Sequence, residues 1–123
     1  MAVTTSGKVS TWRPIWSGAS PSWAQIGNPI GTSATRPTLV YRPAAVQGQQ
    51  LFLGYLDSQP RVSAFDGNGW SNVGGGLGPM QGTLHWGGLC LSTNASGGLA
   101  ALWGEVGVGS YTSPTMVTKV YNR

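Results

Sequence analysis

Trp23-Ala24-Gln25-Ile26-Gly27 recurs 47 residues later as Trp70-Ser71-Asn72-Val73-Gly74, and this repeat restricts the fold more than any other feature. Arg61-Val62-Ser63-Ala64-Phe65-Asp66-Gly67 leads into Trp70, and Met116-Val117-Thr118-Lys119-Val120-Tyr121-Asn122 has the same shape. The second copy reaches Arg123 where the next tryptophan would be due. A period of roughly 40–50 residues made of short strands is the signature of a propeller blade. A blade interrupted in this way takes its missing strand from elsewhere, and the segment around Trp23 has the matching pattern. The expected architecture is therefore all-β: a β-propeller built from two blades per chain, closed by oligomerisation with strand exchange between termini. Three chains of two blades give six, so a trimer is the expected homo-oligomer. An unrelated β-sandwich is the alternative.

In this scheme residues 1–123 are one domain. Residues 8–28 are N-terminal strands completing a neighbouring blade, 29–74 the first blade, and 75–123 a second, incomplete blade. Residues 1–7 are polar and read as loose, and 28–37, punctuated by Pro and Gly, read as a loop. Asp66-Gly67-Asn68-Gly69 is a hairpin signal, because Gly and Asn adopt positive φ with little strain. No long segment free of Gly and Pro has helical periodicity.

Twenty glycines and eight prolines among Val, Leu, Trp and Tyr fit many short strands joined by tight turns. Only seven Lys and Arg and three Asp and Glu are present, far below the usual quarter of a chain. The net charge of +4 comes from scarce acids, and Lys8, Arg13, Arg36, Arg42, Arg61, Lys119 and Arg123 are scattered singly. Specific nucleic-acid binding is not expected of such a distribution. Cys90 is the single cysteine, so no intrachain disulfide forms, and its place in Leu89-Cys90-Leu91 predicts a buried, inert thiol. No apolar run reaches membrane-spanning length. The opening residues lack the apolar core of a signal peptide, which fits a cytoplasmic or non-classically released protein. Asn94-Ala95-Ser96 fits a glycosylation acceptor that is incidental without such a signal.

Val62-Ser63-Ala64-Phe65-Asp66-Gly67-Asn68-Gly69-Trp70-Ser71-Asn72-Val73-Gly74 resembles the repeat unit of bacterial kelch-like propeller proteins. Those repeats share a valine, an aromatic-Asp/Asn-Gly turn, a tryptophan and Val/Ile-Gly, and Tyr55-Leu56-Asp57 resembles their Tyr-x-Asp strand ending. The resemblance implies blades. In architecture, a short two-blade chain resembles the small oligomeric propeller lectins of bacteria that bind fucose, although none of their sugar-binding residues transfers to this sequence.

Catalysis is poorly supplied. The acids are Asp57, Asp66 and Glu105, and His85 is the single histidine. A glycosidase needs two carboxylates facing each other across a bond, whereas Asp57 and Glu105 occupy equivalent places in different repeats. His85 and Cys90 cannot complete a zinc site, and no phosphate-binding glycine motif is present. An enzyme, a metal and a cofactor are all unexpected.

Binding is better supplied. Tyr55-Leu56-Asp57 aligns with Trp103-Gly104-Glu105, an aromatic followed two residues on by a carboxylate, and such positions share one face of a strand. An aromatic ring stacks on the C–H face of a sugar while a carboxylate accepts from its hydroxyls. The same pair also serves as an ordinary blade element. Trp23 and Trp70, at repeat positions, are expected in the core between blades. Trp12, Trp16 and Trp86 have no repeat partner and suit an exposed platform or a subunit contact. Arg36, Arg42 and Arg61 could donate to sugar hydroxyls. The expected function is multivalent carbohydrate binding by a lectin, with Trp103, Glu105, Tyr55, Asp57, Trp86, Trp16 and Arg61 as ligand-binding residues and glycans as partners. The alternative is a ring-forming scaffold.

Overall fold

The computed structural model describes residues 1–42, 51–74, 77, 82–107 and 114–121. Strands 82–88, 106–107 and 114–121 are described by their backbone alone. The chain is all-β, with about 70% strand and no helix among the described residues. Three antiparallel sheets follow one another along the sequence. The first sheet holds β1 (Ala2–Thr5), β2 (Lys8–Ser17) and β3 (Ser20–Ile30). The middle sheet holds β4 (Thr35–Tyr41), β5 (Leu51–Asp57), β6 (Gln59–Phe65) and β7 (Trp70–Asn72). The third holds β8 (Gly82–Thr93), β9 (Leu99–Gly107) and β10 (Pro114–Tyr121). Strands are neighbours in chain order within each sheet, so every pairing is a hairpin. Among the described residues there is no closed barrel or propeller. Among the described residues, no helix is long and apolar enough to cross a membrane.

The opening residues are not loose. Val3 and Thr4 pair with Ser10 and Val9, and Ser6 and Gly7 turn the chain with φ of 51° and 75°. Two successive positive φ values match the twist of the flanking strands. The interval after Ile26 is also shorter than a 28–37 loop: β3 runs to Ile30, opposite Val9, and β4 starts at Thr35. Pro29 is tolerated because β3 is the edge of its sheet, where a missing N–H breaks no ladder. Pro14 lies in β2 beyond the reach of β1, which pairs only as far as Thr11.

The middle sheet carries the core because it is covered on both faces. β1 and β2 pack on β4, and β8 packs on β4 and β5. Successive residues of β5 point to opposite faces. Leu53 and Tyr55 are buried with Val9 and Ala34 beneath the first sheet. Phe52 and Leu56 are buried with Leu89, Leu91, Leu99, Ala101 and Trp103 beneath the third. Gly54 permits the close approach on that side: a Cβ there would lie 2.8 Å from Leu89 Cδ2 and 2.9 Å from Leu91 Cδ1.

The middle and third sheets present similar strand pairs. Leu51 pairs with Phe65 and Tyr55 with Arg61; Leu99 pairs with Tyr121 and Trp103 with Val117. Tyr55 and Trp103 are thus equivalent, each on the face turned to the preceding sheet. Cys90 departs from expectation. Leu89 and Leu91 are buried, and the residue between them points outward, so the thiol is exposed.

Candidate functional site

The carboxylate–aromatic pairs lie inside the molecule. Tyr55 is 3% exposed and Trp103 2%, and the Trp103 indole N–H donates to Glu105 Oε1 at 2.7 Å. Asp57 closes the connection between the first two sheets. It accepts the backbone N–H of Thr32 and of Ser33, both at 3.1 Å, and the Thr32 hydroxyl at 3.2 Å. Burial pushes the Asp57 carboxyl up, but these bonds, with the Arg61 guanidinium, hold it below its ordinary 3.8. Asp57 therefore remains an anion bound to its own chain. Same-face spacing brings Trp103 and Glu105 together but does not say which face looks outward.

The remaining site residues scatter. Arg61 is half-buried opposite Tyr55, and Trp16 is 77% exposed near the tip of the β2–β3 hairpin. Trp86 is on β8, and its side chain lies outside the described residues, as does that of His85. Arg42 is buried, its guanidinium 4.7 Å from the centroid of the Phe52 ring, and Arg36 is exposed in β4, at the irregularity between Thr35 and Thr38, with φ of 51°.

Two surface features stand out instead. The first is the outer half of the β2–β3 hairpin, which projects beyond the middle sheet with residues 13–23 exposed. Its tip is a two-residue loop, Gly18-Ala19, with Gly18 at φ 74°. Pro14 pairs with Trp23 and Trp16 with Pro21. Directly opposed residues share a face, so Trp12, Pro14, Trp16, Pro21 and Trp23 line one side of this arm. Trp23 is 52% exposed within the chain rather than covered. Its counterpart Trp70 is half-buried, its ring centroid 5.2 Å from that of Phe65.

The second feature is a cleft of about 430 Å³ between the inner half of that hairpin and the end of the middle sheet. Arg13 and Gln25 come from the hairpin, Tyr41, Leu51 and Phe65 from the sheet, and Asn68 from the β6–β7 turn. Arg13 follows Val9 and Thr11 on the same face of β2, and those two are buried, so alternation carries the guanidinium onto the cleft side. Tyr41, 59% exposed, is at the end of β4, where its carbonyl accepts the Thr93 hydroxyl at 3.2 Å. Gln25 donates its Nε2 to the Gly27 carbonyl at 3.0 Å.

The turn that presents Asn68 is built by Asp66. Its Oδ1 accepts the N–H of Asn68 and of Gly69, each at 2.8 Å, and these bonds hold the exposed carboxyl below its ordinary 3.8. Gly67 has φ of 103°, while Asn68 keeps a negative φ, so a side-chain cap replaces the second positive-φ residue expected of Asn68. Among the described residues no cluster of His, Cys, Asp and Glu could hold a metal ion. The cleft can therefore offer an aromatic surface, an amide and one guanidinium, a set suited to binding. No protein-family model, curated protein or solved structure matches the chain.

Proposed function

We propose that this chain is a non-catalytic carbohydrate-binding domain whose ligand occupies the cleft between the first two sheets. One observation carries the reading: an exposed tyrosine, a guanidinium and the Asn68 turn line one cleft of about 430 Å³. That volume is within the roughly 300–1,000 Å³ of ordinary small-ligand sites. Tyr41 supplies the stacking surface, and Arg13 and Asn68 supply hydrogen bonds to hydroxyls. A glycan array with the intact protein tests the proposal. Binding to glycans that share one terminal sugar supports it; a blank array from folded protein overturns it.

A second reading, a ring-forming scaffold of the propeller type, is favoured by a separate contact. Trp70 seats on Gly27, where a Cβ would lie 2.9 Å from Trp70 Cδ1. Gly27 and Gly74, equivalent in the repeat, have φ of 62° and 74°. Gly74 and Trp23 are both exposed, so Trp23 of one copy could seat on Gly74 of another as Trp70 does within the chain. β10 is the edge of its sheet among the described residues and could accept β3 of that copy. A trimer is the expected assembly, read by sedimentation of the intact protein. The two readings are compatible, since a ring multiplies weak sugar sites into avidity.

A further inference from the structure

We infer that the cleft selects acidic sugars, those carrying a carboxylate or a sulfate ester; the inference rests on the carbohydrate-binding reading above. A neutral sugar presents hydroxyls that both donate and accept, and a site for it balances donors with a strong acceptor such as a carboxylate. This cleft lacks that acceptor, for none of its lining residues is Asp or Glu. Glu105 and Asp57 are buried elsewhere, each engaged by groups of its own chain. Asp66 adjoins the cleft through Gly67 and Asn68 but is not among its lining residues, and part of its charge is taken up by the two backbone N–H groups bound to Oδ1.

The donors are in excess. Arg13 brings a guanidinium that is always charged and has no carboxylate partner among the described residues. Asn68 adds two amide donors. Gln25 opposes Trp12, on the other face of the hairpin, and its Nε2 is given to the Gly27 carbonyl. The ligand must therefore supply the acceptor, and an oxyanion pairs with a guanidinium fork through two parallel hydrogen bonds. The ring carrying it rests against Tyr41. The net charge of +4 favours the approach of such a ligand.

The test is calorimetric titration of the intact protein with methyl glycosides of glucose and galactose, their uronic acids and their 6-sulfates. At low salt at least one acidic glycoside should bind about tenfold tighter than its neutral parent, with the preference shrinking as salt is raised. The uronate and sulfate arms tell which oxyanion is preferred. Arg13→Gln should abolish the preference by weakening the acidic glycosides far more than the neutral ones, and Arg13→Lys should retain part of it. Asp66→Asn, which keeps an oxygen to cap the turn, should tighten the acidic ligand. A neutral glycoside bound as tightly as its acidic forms, or a preference that survives in Arg13→Gln, overturns the inference and leaves the cleft as a sugar site. Failure of every glycoside to bind overturns the carbohydrate-binding reading as well.

Discussion

The indole N–H of Trp70 donates to the carbonyl of Ile26 at 3.2 Å, so a residue of the second repeat copy is held by the backbone of the first. The contact depends on Gly27, whose positive φ turns the strand and whose missing side chain leaves room for the ring. That pairing locks the first sheet to the middle one.

Gly27→Ala should therefore destabilise the chain by about 1–3 kcal/mol, combining left-handed strain with a clash against Trp70. Urea denaturation measures the loss, and Trp70 emission should shift as the ring is displaced. Ala at Gly18, where a Cβ meets nothing within 4 Å, separates the two contributions. It carries only the strain of φ 74°, close to the 62° of Gly27, and should cost less.

Trp23 and Trp70 should respond in opposite ways to truncation. Trp70→Ala removes a packed, hydrogen-bonded ring and should cost about 2–4 kcal/mol. Trp23→Ala removes a ring that touches little within the chain and should change urea stability by less than about 0.5 kcal/mol. In the scaffold reading Trp23→Ala also lowers self-association by sedimentation. Unchanged association would remove Trp23 from any subunit contact.

Strand content was legible in the sequence because alternating apolar residues and Gly-rich turns leave little choice, and Asp66-Gly67-Asn68-Gly69 was legible because few other residues make that turn. The direction in which each face looks was not. Trp103 and Glu105 share a face in any strand, but only the stacking of the third sheet on the middle one buries them. The two tryptophans of the repeat carry the same pattern, yet Trp70 has a sheet in front of it and Trp23 does not. The cleft was invisible for the same reason, since Arg13, Tyr41 and Asn68 lie far apart in sequence and meet only when two sheets are placed. Residues 1–7 were misread because a four-residue strand of small and polar side chains has no apolar signal beyond Val3.

Acid should weaken the connection between the first two sheets through Asp57. Its folded carboxyl is held below the ordinary 3.8, so the stability it contributes is fully present above that value. That contribution is lost as pH falls through the lower folded value. Asp57→Ala at neutral pH leaves the N–H groups of Thr32 and Ser33 without their acceptor and should cost about 1–3 kcal/mol. In urea titrations the gap between wild type and variant should stay constant from pH 7 to 5 and narrow below pH 4. A gap that stays constant below pH 3 would show that Asp57 is not an anion in the folded chain.

Cys90 should react in the native state. Leu89 and Leu91 turn inward and the thiol turns out, so one equivalent of a thiol reagent should label the folded protein without a denaturant step. The nearest polar contact, from Sγ to the Leu91 carbonyl at 3.9 Å, is too long to protect it. Labelling should leave urea stability unchanged within about 0.5 kcal/mol, as for other exposed positions. A thiol that reacts only after unfolding would mean that another surface covers this face of β8 in solution. Repeating the reaction across a dilution series would then show whether that surface belongs to a second copy, because such protection falls away as the protein is diluted.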